Sequence, residues 1–231
     1  MFSAWAKHAA DGKMPGVIFN STIVERGSAI GFSNTALKSV TSLNDVMRGD
    51  YDIAVSTAVR LSATFPVVSP AARPYSGDGK APALHMVDGG YYDNLGTSSL
   101  IAWLREAIPD PGSAPVKRIL VLTLHSFQKP GGPSMGAPES WLYQLVAPVD
   151  TLLNVRERAQ IDRGGQELRL LTEAWAGRVE IIHRPVFFPG CNGVQPPLSW
   201  KLIGKQKVCI EEGWNKIKRA ELDAVKGFLG K

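Results

Sequence analysis

The residues of this chain best placed to do chemistry lie in His85-Met86-Val87-Asp88-Gly89-Gly90-Tyr91-Tyr92-Asp93-Asn94-Leu95-Gly96. A short apolar run delivers one carboxylate, then two glycines, then a polar cluster that can open a helix. In open α/β sheets ligands bind at the carboxyl ends of strands, and Asp88 falls at such an end. Gly89 and Gly90 permit unusual backbone angles and a close approach by another backbone or a substrate. A carboxylate in this setting can accept the proton of a nucleophilic hydroxyl. An isolated Asp-Gly-Gly is also what an aspartate capping its own turn looks like, so its partners decide its meaning.

A nucleophile for Asp88 is hard to find. The chain contains no Gly-x-Ser-x-Gly, the elbow that holds a serine on a strained strand-to-helix turn. Gly31-Phe32-Ser33-Asn34-Thr35 lacks the second glycine, and in Gly27-Ser28-Ala29-Ile30-Gly31 the serine stands one place early. Ser62 has no glycine-flanked turn. His125 follows an apolar strand and could follow Asp88 in a Ser-Asp-His order, although a lone strand-end histidine is more often a loop or core residue. His8, His85 and His183 show no partner pattern. No Cys or His pair has zinc-ligand spacing, so a zinc site is not expected. Cys191 and Cys209 read as two buried thiols rather than a disulfide, because nothing marks the chain for an oxidising compartment.

These residues need elements to hold them. The pattern predicts a short helix ending near Gly12, a buried strand over Gly16–Thr22 and a helix over Tyr51–Ala63 that stops before Pro66. A strand over Ala83–Val87 precedes a helix over Thr97–Ala107, whose start Asp93, Asn94, Thr97 or Ser98 can cap. Asn94 is expected to cap it and to steady the Asp88 loop. Arg118–Leu124 reads as a parallel strand buried on both faces. Val149–Trp175 reads as a helix with a break expected at Gly164-Gly165. A strand over Arg178–His183 and a helix over Leu202–Leu229 complete the chain. Strands alternating with helices argue for an α/β layered fold in a single domain over residues 1–231.

The chain has 231 residues, 44% hydrophobic and 20% charged, enough for one sizeable core. No apolar run is long enough to span a membrane, and Met1–His8 lack the features of a secretory leader. A cytoplasmic or peripheral-membrane location is therefore expected. Residues 201–231 hold eight Lys/Arg against four Asp/Glu, +4 of the net +5. That tail reads first as a solvated helix face and second as a surface for anionic lipid. No nucleic-acid partner is expected, because no motif for one is present. Glu25 and Arg26 read as a surface ion pair, and Arg156, Arg158, Arg163 and Arg169 as a solvated, mixed-charge helix face. Phe187, Phe188 and Trp200 are expected in core packing.

Four segments in order carry a resemblance. They are Phe19-Asn20-Ser21-Thr22-Ile23-Val24-Glu25-Arg26-Gly27, Ala58–Pro66, Asp88–Gly96 and Pro197–Leu202 followed by a closing helix. Together they resemble the patatin-like phospholipase family of serine lipid acyl hydrolases, from about Val17 to Trp214. The resemblance implies an α/β/α fold with a mostly parallel central sheet. It also implies a Ser-Asp dyad without histidine, in which Asp88 is the base. Gly89 and Gly90 would shape the site, Asn94 would hold its loop, and Ser62, Thr64, Phe65 and Pro66 would line or rim the acyl site. The substrate class would be a fatty-acyl ester of a phospholipid or neutral lipid. The family's elbow and glycine-rich oxyanion loop have no counterpart here. The resemblance is thus to the carboxyl-terminal portion, with the first strands of the sheet absent. No metal or cofactor is implied. The chain is expected to be inactive alone, either as a fragment of a longer lipase or as the partner of a separate chain that carries the serine, and to self-associate through an apolar strand edge left open by the missing strands. The alternative is a non-catalytic remnant that binds lipid or a protein partner.

Overall fold

A computed structural model describes residues 2–47, 51–64, 69–73, 84–125, 141–189 and 202–230. In chain order the elements are α1 (Phe2–Ala10), β1 (Ile18–Ile23), β2 (Ser28–Ser33), α2 (Leu43–Met47), α3 (Val55–Ser62), β3 (Met86–Asp88), α4 (Gly90–Asp93), α5 (Thr97–Ala107), β4 (Arg118–His125), α6 (Trp141–Trp175), β5 (Glu180–Phe187) and α7 (Gly204–Leu229). The fold is mixed α/β. The chain forms two compact units, Met1–Pro115 with Val149–Ala176, and Val116–Pro148 with Gly177–Lys231.

The first unit is built on a three-stranded sheet in the order β2-β1-β3, antiparallel throughout. β1 and β2 form a hairpin that turns at Gly27, whose φ of +57° suits a residue without a side chain. β3 lies on the other edge of β1, with Ser21 opposite Asp88 and Ile23 opposite Met86. Its far edge is tied down as well, since Met86 exchanges two backbone hydrogen bonds with Ala72 at 2.7 and 2.8 Å. Phe2, Ile23, Ile30, Phe32, Val46, Ala58, Leu84 and Met86 form the core, with Ile23, Ile30, Ala58 and Met86 fully buried.

α5 spans the expected Thr97–Ala107 and buries Ile101 and Leu104. α6 runs through Gly164 and Gly165 without the expected break. The reason is packing: a Cβ at Gly164 would lie 3.1 Å from Thr97 Cβ, so the glycine lets α5 come close rather than ending the helix.

The second unit contains a parallel pair, β4 and β5, in the register Arg118↔Glu180 to His125↔Phe187. Among the described residues this is the extent of parallel pairing, and the Asp88 sheet departs from the mostly parallel pattern. β3 runs back along β1 over three residues, antiparallel to it. β4 is also not buried on both faces. Val121 and Thr123 are buried, whereas Leu122 is 43% and Leu124 72% exposed. A continuous apolar run does not reveal which face a two-stranded sheet leaves open.

α7 covers part of this sheet. Arg184 Nε donates to Glu221 at 2.6 Å, and the Arg118 guanidinium lies 4.9 Å from the Phe228 ring centroid while pairing with Glu180 at 3.0 Å. Gly213 admits Phe188, since a Cβ there would sit 3.0 Å from Phe188 Cε1. The α7 lysines Lys205, Lys207, Lys216, Lys218 and Lys226 are exposed, as a solvated basic face requires. Cys209 is buried and disulfide-bonded, which corrects the expectation of a thiol; Cys191, the chain's other cysteine, lies outside the described residues.

Candidate functional site around Asp88

Asp88 ends β3 as the sequence suggested, and its surroundings are fixed by backbone. Asp88 N–H donates to Thr64 O and Gly89 N–H to Ser62 O, both at 3.1 Å. The Asp88 carbonyl accepts from Thr22 Oγ1 at 3.0 Å. Beside it the buried Ser21 hydroxyl lies 2.7 Å from Val87 O and 3.0 Å from Leu61 O, joining β1 to both β3 and the end of α3. Ser21 faces α3, while Asn20 faces the first turn of α5, its Oδ1 accepting from Ser99 Oγ at 2.8 Å. Helices thus cover both faces of β1 at the site.

The two glycines are required by space. A Cβ on Gly89 would lie 2.7 Å from the carbonyl carbon of Asn20 and 2.9 Å from its Cβ, overlapping the β1 backbone. A Cβ on Gly90 would lie 2.7 Å from Asn94 Oδ1 and 3.0 Å from Asp88 Oδ1. In its absence Gly90 N–H donates to Asp88 Oδ1 at 2.7 Å and fixes the carboxylate at the start of α4. Asp88 is half-buried. Among the described residues no hydroxyl, thiol or imidazole is hydrogen-bonded to its carboxylate.

Several expected roles move to neighbouring residues. Asp93, not Asn94, caps α5. Its carboxylate accepts from the N–H groups of Thr97, Ser98 and Ser99 at 3.1, 2.8 and 3.3 Å, where the helix dipole favours an anion. Asn94 is exposed, and its N–H donates to Gln160 Oε1 at 3.1 Å. Gln160 Nε2 in turn donates to Tyr91 O at 2.9 Å, so α6 grips both ends of α4. Thr64 turns its hydroxyl to Arg60 O at 2.7 Å and meets Asp88 through its backbone alone. Ser62 likewise reaches the site through its carbonyl. Phe65 and Pro66 lie outside the described residues.

The serines of the near-elbow segments sit in β2 rather than on a strand-to-helix turn. Ser33 bonds Thr35, accepting its N–H at 3.0 Å. His125 and Asp88 belong to different units. His125 stacks on Phe187 with ring centroids 4.4 Å apart, and with His183 it flanks the Thr123 hydroxyl at 3.3 and 3.0 Å. Burial pushes both imidazoles below their ordinary pKa.

His85 does have a partner, and it is Glu25. Its N–H and Nδ1 meet the Glu25 carboxylate at 2.9 and 2.6 Å. The backbone bond first, and the ring bond second, lower the Glu25 pKa to about 2. Glu25 therefore pairs across the sheet with His85 instead of with Arg26.

Two residues near Asp88 escaped the sequence reading. Asn20 has a weak signal, a polar residue inside an apolar strand. Arg156 has none, since it looks like any charge on a mixed-charge helix. It is half-buried, and its guanidinium carbon stands 4.5 Å from the Tyr91 ring centroid.

Among the described residues, no group of three His, Cys, Asp or Glu is placed to hold a metal ion, and no helix is long and apolar enough to cross a membrane. A cavity of about 430 Å³ lies in the second unit, lined by Leu120, Ile182, Ala224 and Phe228 between the ion-paired Arg118 and Arg184. Comparison with known proteins yields no match, whether to a family model, a curated protein or a solved structure.

Proposed function

We propose that the first unit is the base-bearing part of a patatin-like lipid acyl hydrolase, in which Asp88 accepts the proton of a serine that this chain does not itself supply. The observation behind this reading is the Asp88-Gly89-Gly90 geometry. A half-buried carboxylate is held by one backbone N–H on Oδ1, and Gly89 lies against the β1 backbone where no side chain fits. Such a carboxylate is pre-oriented and keeps lone pairs for an incoming hydroxyl. The helices on both faces of β1 agree with the layered α/β/α arrangement of that family. The substrate would be a fatty-acyl ester: Asp88 takes the proton of the partner serine as its oxygen attacks the carbonyl, returns it to the departing alcohol as the acyl-enzyme forms, and then takes a proton from the water that releases the fatty acid.

The second reading is a non-catalytic remnant that binds lipid or a protein, and the absence of any hydroxyl on the Asp88 carboxylate among the described residues fits both readings. One experiment separates the two. The 231-residue chain is mixed with a patatin-like fragment that carries a Gly-x-Ser-x-Gly elbow but lacks its own Asp-Gly-Gly, and hydrolysis of a p-nitrophenyl fatty-acyl ester is followed. The base reading expects activity with the wild-type chain, at least about a hundredfold less with Asp88→Asn, and none with either piece alone. No activity from the mixture, or equal activity with Asp88→Asn, favours the remnant. Fluorophosphonate labelling of a serine in this chain alone, abolished by Asp88→Ala, would show that it carries its own nucleophile.

A further inference from the structure

Arg156 is the unexplained charge of the first unit. Its Nε is buried and, among the described residues, is the one buried side-chain nitrogen or oxygen without a hydrogen-bond partner. The paired arginines behave differently: Arg118, Arg169 and Arg184 each face a glutamate. Among the described residues no carboxylate is paired with Arg156, although taking a guanidinium partly out of water without a counter-charge is unfavourable. What does meet it is the face of Tyr91, three residues past Asp88 in the loop that Gln160 grips one helical turn further along α6. Stacking on a ring compensates some of the lost hydration and fixes the plane of the guanidinium. A guanidinium fixed in this way keeps its in-plane N–H fork for an oxyanion, which it binds in a bidentate manner.

We propose that Arg156, presented on Tyr91, is an anion-binding subsite beside the Asp88 loop, and that its ligand group is a phosphate oxyanion. The subsite stands whether or not Asp88 ever meets a serine. Two sources share this chemistry, a phospholipid headgroup and a free phosphate.

The test uses the whole chain and reads the Arg156 Nε–Hε and Tyr91 ring resonances by NMR. The titrants are inorganic phosphate, phosphatidylglycerol vesicles and phosphatidylcholine vesicles. Response to phosphate and to phosphatidylglycerol supports the subsite with a free oxyanion sufficing. Response to phosphatidylglycerol alone supports it with the lipid headgroup as the source. Arg156→Gln should weaken the Tyr91 response about tenfold or more, whereas Arg158→Gln, at an exposed position on the same helix, should leave it unchanged. Arg156→Lys, which keeps the charge and loses the planar fork, should also weaken it and serves if the glutamine variant fails to fold. Silence toward all three titrants, a response to phosphatidylcholine equal to that with phosphatidylglycerol, or an undiminished response in either Arg156 variant overturns the proposal.

Discussion

The antiparallel sheet of the first unit buries Ile23, Ile30 and Met86 completely, whereas β4 of the second unit leaves Leu122 and Leu124 43% and 72% exposed. The two sheets also differ in what fixes them. Around Asp88 the ties all end on backbone carbonyls, with Asp88 N–H on Thr64 O, Gly89 N–H on Ser62 O and the buried Ser21 hydroxyl between two carbonyls. Around β4 and β5 they are side-chain ties to α7, chiefly Arg184 to Glu221, with side chains 37% and 21% exposed. Ion pairs as exposed as this one are screened by solvent and contribute little to stability. The comparison teaches that complete burial and bonds to the backbone are concentrated around Asp88, and that a parallel pair of two strands leaves apolar surface uncovered.

The largest expected effect is at Met86. Met86→Ala opens a cavity between β1 and β3 and should cost about 2–5 kcal/mol, read from the urea midpoint. A cost below about 1 kcal/mol would mean that the first sheet is not the fully buried one. Next comes Gly89→Ala, which must push β3 from the Asn20 carbonyl and should cost about 1–3 kcal/mol. Its loss should fall on the β1–β3 amides in hydrogen exchange. Protection left unchanged there would disprove the close approach.

The units should also part company with pH. His125 and His183 are depressed below their ordinary value of 6.5, so the folded state binds fewer protons than the unfolded chain. Their contribution is therefore complete above 6.5 and declines as the pH falls through their folded values. Glu25 is lowered from 4.5 to about 2, so the contribution of its bonds to His85 persists above 4.5 and is lost between there and about 2. Hydrogen exchange across a pH series should show β4–β5 loosening before β1–β3. His183→Gln should flatten the upper step and Glu25→Gln the lower one. Simultaneous loosening would remove this distinction. The smallest effect is expected for Leu124→Ala, within about 0.5 kcal/mol of wild type. A cost comparable to that at Met86 would show Leu124 to be covered in solution.

Much of this architecture was legible in the residues. Apolar runs located β1, β4 and β5, and the period of α5 placed its limits at Thr97 and Ala107 as observed. The carboxylate at a strand end was legible too, because a short apolar run leads into Asp88, and the close backbone approach at Gly89 agrees with two glycines following it. Strand direction was not, since β3 has three residues and no local feature states which neighbour it joins. Nor was the cap of α5. Asp93, Asn94, Thr97 and Ser98 are all competent, and only the reach of the Asp93 carboxylate to three N–H groups decides among them. Arg156 was illegible for a different reason. Its setting depends on Tyr91, which lies far away in sequence and is brought near by α6.

The Ser21 hydroxyl and the Val87 carbonyl lie 66 positions apart in sequence. Joining such distant points closes a loop whose logarithmic entropy term is roughly 4 kcal/mol, and contacts of that span form slowly. The Asp93 cap on Thr97 spans only four residues and bears little of that burden. In kinetic terms, the α5 turn can be present in early, partly ordered chains, while the Asp88 geometry should arise with the cooperative step that joins β1 to β3. A peptide covering β3 to α5 would then contain the partners of the local bonds, Asp93 to the start of α5 and Gly90 to Asp88, without the β1 and α3 contacts that place them in the sheet.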